Sequence, residues 1–145
     1  MTDEVESRVM GIDFGLRRIG IALSDSLKMF AYAHTTVPND SSTFIELGKI
    51  INEKNVIKVI LGFPDENHIS KTSVVNNIKK FKDSLEKKFS LPVELWDETF
   101  TSAMAQQKII ESVNKKQKRK NKGLLDMYAA AIILQEYLDT IKTTD

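Results

Sequence analysis

The stretch MGIDFG, residues 10–15, is a short apolar run that places one carboxylate, Asp13, between a predicted strand and a glycine. Aspartate is depleted in strand interiors, and a buried charge is costly unless it is paired or bound to a metal ion. The position of Asp13 therefore calls for a partner, and further acidic residues occur later in the chain.

Alternating apolar residues predict a three-stranded antiparallel meander around this stretch. The first strand covers Arg8 to Phe14 and the second covers Arg18 to Ser24, with Gly15 to Arg17 as the turn between them. Phe30 to Val37 is the third strand, and Pro38 ends it because proline cannot donate to the ladder.

After the meander the pattern alternates between helices and strands. Ser41 or Ser42 is positioned to cap a helix that runs to about Lys54, and Thr72 to cap one that runs to about Phe89. The other predicted elements are two strands, Val56 to Phe63 and Val93 to Trp96, a helix after Thr101 or Ser102, and a final helix from about Gly123 to Ile141. This order predicts an α/β fold with a five-stranded mixed sheet and helices on both faces.

The composition is that of one globular domain. With 145 residues, of which 41% are hydrophobic, we expect a single domain over residues 1–145, with frayed ends at 1–7 and 140–145. No run of about 18 apolar residues occurs and the N-terminus is acidic, so we expect a soluble, cytoplasmic protein. The chain has no cysteine, so any metal ion would be held by oxygen or imidazole.

One segment concentrates positive charge without any acid. It runs from residue 115 to residue 122 and contains Lys115, Lys116, Lys118, Arg119, Lys120 and Lys122. Such a run is typical either of a surface loop without a partner or of a segment that contacts phosphates. Arg17 and Arg18, in the turn beside Asp13, have the same two interpretations.

Acidic residues follow the predicted strands at the ends where functional groups collect in open α/β sheets. Asp13 ends the first strand, Asp97 and Glu98 follow the fifth, and Asp126 lies in the first turn of the last predicted helix. We expect the first and fifth strands to be neighbours. Grouped carboxylates repel one another unless divalent cations neutralise them, and such ions activate water in phosphodiester cleavage. The alternative is that each acid is an ordinary cap or turn residue.

Four motifs occur in order along the chain: Asp13-Phe14-Gly15 with Gly20, Gly62-Phe63-Pro64, Asp97-Glu98-Thr99, and Asn121-Lys122-Gly123 with Asp126. Together they resemble the YqgF family, the Holliday-junction-resolvase-like branch of the RNase H fold, from Val9 to Leu138. The resemblance implies an RNase H-like nuclease for the 5′ end of pre-16S ribosomal RNA, acting on ribosomal precursor particles.

The resemblance also implies roles for individual residues. Asp13, Glu98 and Asp126 would be the catalytic acids that hold Mg²⁺ or Mn²⁺, with Asp97 as an auxiliary acid and Lys122 in contact with phosphate. The chain departs from the family pattern at Thr99, where the family usually has arginine. It departs again in residues 65–69, which read DENHI where the family normally has LNMDG.

Three functions are compatible with these residues. The first is a metal-dependent endonuclease on structured RNA, with Arg17, Arg18, Lys118, Arg119, Lys120 and Lys122 binding phosphates. The second is a resolvase of branched DNA, which would use the same acids. The third is an RNA-binding ribosome-assembly factor without catalysis, which the departure at Thr99 suggests. For Trp96, which lies beside the acids in the sequence, we expect core packing rather than base stacking.

Overall fold

Five strands and three helices make up the part of the chain that the structure, a computed structural model, describes: residues 6–63, 72–97 and 122–142. The strands are β1 (Arg8–Phe14), β2 (Arg18–Ser24), β3 (Ala31–Pro38), β4 (Val56–Phe63) and β5 (Val93–Asp97). The helices are α1 (Thr43–Lys54), α2 (Thr72–Phe89) and α3 (Lys122–Lys142).

The strands form one mixed sheet in the order β3-β2-β1-β4-β5. The pairs β1–β2 and β2–β3 are antiparallel, while β1–β4 and β4–β5 are parallel. The predicted meander and the five-stranded mixed sheet are confirmed. The expectation that the first and fifth strands are neighbours is wrong, because β4 is hydrogen-bonded to both and separates them by two strand spacings, about 10 Å.

Each face of the sheet carries its own hydrophobic core. On one face, Met10 and Ile12 of β1 pack with α1 and α2. On the other, Val9 of β1 packs with Ala130 and Ile133 of α3. Side chains alternate between faces along a strand, so this pattern assigns every strand position to the α1/α2 face or to the α3 face. Each fully buried apolar side chain contributes about 1.5–3 kcal/mol relative to exposure.

The start of α1 differs from the predicted serine cap. Ser42 is the N-cap residue, but its side chain makes no cap hydrogen bond. Its hydroxyl instead donates to Asp40 Oδ1 over 2.6 Å, while the buried Thr43 hydroxyl donates to the carbonyl oxygen of Pro38 over 2.8 Å. The chain therefore enters α1 through side-chain contacts to the preceding turn. The helix ends as predicted at Lys54, where Asn55 takes the left-handed conformation.

The other two helices begin earlier than predicted. Thr72 is already the first residue of α2 rather than its cap. Helix α3 begins at Lys122, so Asp126 lies in its second turn and not in its first. The helix predicted after Thr101 or Ser102 lies outside the described residues. Within the described ranges, no helix has both the length and the apolar character needed to cross a membrane.

Candidate active site

Asp13 lies next to last in β1, at the carboxyl end of the strand, and is half-buried. The antiparallel register places it directly opposite Gly20 of β2. Directly opposed residues lie on the same face of the sheet, and a Cβ added to Gly20 would point at α3. Asp13 therefore lies on the α3 face.

Two glycines let α3 lie directly on the backbone of the sheet. A Cβ on Gly11 would come within 2.8 Å of the carbonyl oxygen of Ala130, and one on Gly20 would collide with the carbonyl group of Asp126. The Cα atoms of opposed antiparallel residues are about 5 Å apart, so this contact brings the main chain of Asp126 within about 9 Å of the Asp13 Cα. Ala130, a small residue of α3, and the two glycines of the sheet share in this close approach.

Arg18 makes an ion pair with Asp126. Its Nε donates to Oδ2 of Asp126 over 3.0 Å, and the two side chains are 36% and 22% exposed. Arg18 precedes Gly20 by two residues on β2, so it also lies on the α3 face and is a diagonal neighbour of Asp13, within reach of a long side chain. One guanidinium and two carboxylates thus share this corner of the sheet. The predicted phosphate contact of Arg18 stays a prediction.

Asp97 ends β5 and is exposed. The register pairs Gly62 with Trp96 and Phe63 with Asp97, which puts Asp97 one residue beyond the level of Asp13. Trp96 packs in the α3-side core, so alternation places Asp97 on the α1/α2 face, opposite to Asp13. The strand geometry therefore does not place Asp97 beside the other acids, and its auxiliary role stays a prediction.

The structure describes only some of the remaining predicted site residues. Arg17 is exposed in the turn between β1 and β2. Lys122 is the first residue of α3. Glu98, Lys118, Arg119 and Lys120 lie outside the described residues, and with them the basic segment up to residue 121. Within the described ranges no three histidine or acidic side chains are grouped closely enough to hold a metal ion.

The donor chemistry of Asp13 and Asp126 fits a magnesium or manganese ion. Both are carboxylates, which are the protein ligands that hard divalent ions prefer. Both belong to the same corner of the α3 face, which the Gly20 contact brings together. Mg²⁺ takes one or two protein carboxylates when water and substrate phosphate complete its shell, so two carboxylates are a number of protein ligands that such an ion uses.

The C-terminal half of α3 is held to the sheet by a lysine. Lys58 of β4 donates to Glu94 Oε1 over 2.9 Å and to the hydroxyl of Tyr137 over 3.0 Å, and its Nζ lies 4.8 Å from the centre of the Tyr137 ring. Burial lowers the pKa of Lys58, but hydrogen bonds to Tyr137 and Glu94 outweigh this effect, so its pKa lies above the ordinary value.

Trp96 packs against the same half of α3. Its ring meets Tyr137 edge-on at 5.9 Å between centroids, and its Nε1 donates to Glu136 Oε1 over 3.2 Å. The preference for core packing over base stacking at Trp96 is confirmed.

Sequence reasoning missed the Arg18–Asp126 pair and the Lys58–Tyr137 contact. A signal existed in each case. Gly20 is a glycine inside a strand, which marks close backbone approach, and Lys58 interrupts an otherwise apolar strand, which marks a charge that needs a partner. The identity of those partners depends on the axial position of α3, which no local pattern encodes.

Known proteins match this chain along nearly its whole length. The family model described as "RuvX: Holliday junction resolvase" matches residues 7–140. A protein of Bacteroides thetaiotaomicron named "Putative pre-16S rRNA nuclease" is 41% identical over 136 residues, covering 92% of this chain and 97% of the relative. A protein of the same name from Thermoanaerobacter pseudethanolicus is 36% identical over 137 residues, covering 93% and 98%.

Two solved structures share the fold at low sequence identity. The Fowlpox virus resolvase, in complex with Holliday junction DNA, has a TM-score of 0.54 at 14% identity and covers 92% of this chain and 98% of its own. RuvC of T. thermophilus, with a Holliday junction substrate, has a TM-score of 0.53 at 12% identity and covers 95% and 97%. The fold is therefore RNase H-like, as the resemblance implied. The close relatives and the family match together show that this chain is a nuclease of the RuvX, or YqgF, family of Holliday-junction-resolvase-like hydrolases.

Proposed function

We propose that the chain is a metal-dependent endonuclease that hydrolyses phosphodiester bonds of structured nucleic acid and processes the 5′ end of pre-16S rRNA. The observation that carries the proposal is that the main chain of Asp126 lies against Gly20, the residue directly opposite Asp13 on the α3 face, in a chain of a nuclease family. The names of its relatives supply the RNA substrate.

In this proposal Asp13, Glu98 and Asp126 hold Mg²⁺ or Mn²⁺. Asp97 is an auxiliary acid that acts from the exposed end of β5 without binding the ion. Divalent ions in such nucleases activate the attacking water and stabilise the leaving oxygen. Asp13 and Asp126 come from a strand and a helix that meet backbone to backbone, so their spacing is set by rigid elements. Such pre-positioning lowers the cost of ordering the site during the reaction.

The proposed nucleic-acid contacts are the basic residues around the acids. They are Arg17, Arg18, Lys118, Arg119, Lys120 and Lys122. Arg17 and Arg18 lie in or next to the turn after Asp13, and Lys122 begins the helix that carries Asp126. The affinity of such contacts falls with salt, because phosphate binding releases counterions. Ribosomal precursor particles are the proposed partners, which places the proposed activity in the cytoplasm.

Resolution of branched DNA is the second candidate. The family description and the junction-bound structural neighbours favour it. A third candidate, an RNA-binding assembly factor without catalysis, rests on Thr99 in place of the arginine usual in the family.

One experiment separates the three candidates. The purified chain is incubated with a labelled pre-16S 5′ leader and with a four-way DNA junction, each in Mg²⁺, in Mn²⁺ and in EDTA. We expect metal-dependent cleavage of the leader, and we expect Asp13→Asn to reduce it by more than about 100-fold while binding is kept, since even outer partners of metal ligands cost 10–100-fold. Cleavage of the junction alone would favour the resolvase.

The matched control is Asp83→Asn, which removes an exposed carboxylate from α2 on the opposite face of the sheet. This variant should cleave like the parent chain. Binding of the leader without metal-dependent cleavage by the parent chain would favour the assembly factor.

A further inference from the structure

Arg18 supplies a positive charge at the proposed metal site. Its Nε lies 3.0 Å from Oδ2 of Asp126, and its strand position makes it a diagonal neighbour of Asp13. Without a metal ion, two carboxylates on one corner of the sheet would repel each other, and a guanidinium paired with one of them reduces that repulsion.

We propose that Arg18 and the divalent ion compete for the Asp126 carboxylate, so that metal binding releases Arg18 to bind a substrate phosphate. This inference rests on the proposed function, because it requires the metal site at Asp13 and Asp126. It assigns Arg18 a positioning role that alternates between two partners.

The exposure of the pair allows the exchange. The Arg18 side chain is 36% exposed, so it can turn toward solvent without opening a core. The Asp126 side chain is 22% exposed and its main chain is fixed against Gly20, so the carboxylate stays in place while its partner changes. A divalent ion bound there would repel the guanidinium that it displaces.

The released guanidinium has the chemistry to bind a phosphate. Arginine presents five donors in a planar fork that fits phosphate oxygens in a bidentate manner. Arg18 begins β2 directly after the exposed Arg17, so both arginines lie at the turn that follows Asp13, next to the proposed metal site. The metal-bound enzyme would therefore hold substrate more tightly than the metal-free enzyme.

The first test measures metal affinity without using activity. Isothermal titration of Mn²⁺ into the full chain is compared with titration into Arg18→Gln, which keeps similar length but removes the competing charge. We expect Arg18→Gln to bind Mn²⁺ about three- to fivefold more tightly, which matches the modest strength of a partly exposed ion pair.

The matched control is Arg17→Gln, which removes the same charge from the neighbouring position in the turn. It corrects for the general effect of lower positive charge near the site. If Arg18→Gln binds Mn²⁺ no more tightly than Arg17→Gln, the competition is refuted while the proposed metal site survives. If the unmodified chain binds neither Mn²⁺ nor Mg²⁺, the proposed function itself fails and this inference falls with it.

The second test measures the phosphate contact through its salt dependence. Binding of a fluorescein-labelled pre-16S leader is measured from low to moderate salt, in EDTA and in Ca²⁺. In Ca²⁺ the plot of log affinity against log salt should be shallower for Arg18→Gln by about 0.7–0.9, the value of one lost phosphate contact. In EDTA the slopes of the two proteins should coincide. A slope difference of equal size in both buffers would refute the release of Arg18 by metal.

Discussion

Arg18 and Lys58 anchor opposite halves of α3 to the sheet, and they differ in what surrounds them. Arg18 makes an ion pair with Asp126 over 3.0 Å at the N-terminal half, and Lys58 donates to the Tyr137 hydroxyl over 3.0 Å at the C-terminal half. The Lys58–Glu94 ion pair, at 2.9 Å, joins β4 to β5. Lys58 is closed in by the hydroxyl and the ring of Tyr137, whereas Arg18 lies beside a backbone contact at Gly20.

We infer from this difference that the C-terminal contacts stabilise the packing of α3, whereas the N-terminal contacts belong to the proposed site. At the C-terminal half, side chains interlock, and each change removes packing as well as charge. At the N-terminal half, the backbone of α3 lies against Gly20, so the exchange of partners proposed for Arg18 does not require the helix to move. We therefore expect substitutions at Gly20 and Lys58 to act mainly on stability, and those at Arg18 and Asp126 to act mainly on ligand binding.

The largest expected effect is that of Gly20→Ala. The added Cβ would collide with the main chain of Asp126, which cannot rotate away, so the helix or the strand must shift. We expect a loss of at least about 3 kcal/mol of unfolding free energy, the upper end of overpacking costs, together with weaker metal binding. Urea unfolding and Mn²⁺ titration measure the two effects.

Gly123→Ala is the matched control for this substitution. It lies in the first turn of the same helix, and its Cβ would be 3.5 Å from the nearest atom, Thr36 Oγ1. Because alanine favours helix over glycine by up to about 1 kcal/mol, this variant should be neutral or slightly more stable. Equal unfolding free energies for the two glycine variants would show that the contact at Gly20 does not fix α3.

Lys58→Met tests the other anchor and has the next largest effect. It keeps an unbranched chain in the strand but removes the ammonium that joins Glu94 and Tyr137. Hydrogen bonds to charged groups contribute about 1.5–3 kcal/mol, and the half-exposed Glu94 reduces this, so we expect a loss of about 1 kcal/mol in urea unfolding. Unchanged Mn²⁺ affinity in this variant would confirm that the two anchors are separable.

The difference between the parent chain and Lys58→Met should depend on pH. The pKa of Lys58 is raised in the folded protein, so its contribution is complete below the ordinary lysine pKa of about 10.4 and is lost as pH rises through the folded value. The two unfolding free energies should therefore converge above about pH 10.5.

The smallest expected effect is the coupling between Arg18 and Asp126 in metal-free buffer. A double-mutant cycle of Arg18→Gln and Asp126→Asn should give about 0.5 kcal/mol, because partly exposed ion pairs contribute little. The comparison breaks down if this coupling exceeds the cost of Lys58→Met, since Arg18–Asp126 would then be a structural anchor as well.

Much of the fold could be predicted because its signals are local. The alternation in β1 and β2 and the apolar run of β4 determine which residues face a core, and the structure confirms those strands. The placement of β4 between β1 and β5 was not predicted, because strand order depends on crossovers that leave no mark within a strand. Ser42 is the N-cap residue, one of the two predicted, but its side-chain cap does not form because its hydroxyl donates to Asp40 instead.

The candidate site was only partly predictable for the same reason. Asp13 and Asp126 could be named as candidate site residues because each belongs to a recognisable motif, and the structure puts them on one face of the sheet. The choice of Arg18 as the contact of Asp126 depends on how far α3 slides along β2, which two glycines fix across more than 100 residues of intervening chain. Sequence spacing carries no information on that distance.

Trp96 gives the molecule an internal reporter. It is the single tryptophan of the chain, so intrinsic fluorescence excited at its indole comes from one known place. The indole is wedged between β5 and α3 and bonded to Glu136, so its emission wavelength is sensitive to whether the helix stays seated. Separation of α3 from the sheet can thus be followed optically, without a label, while the strands remain intact.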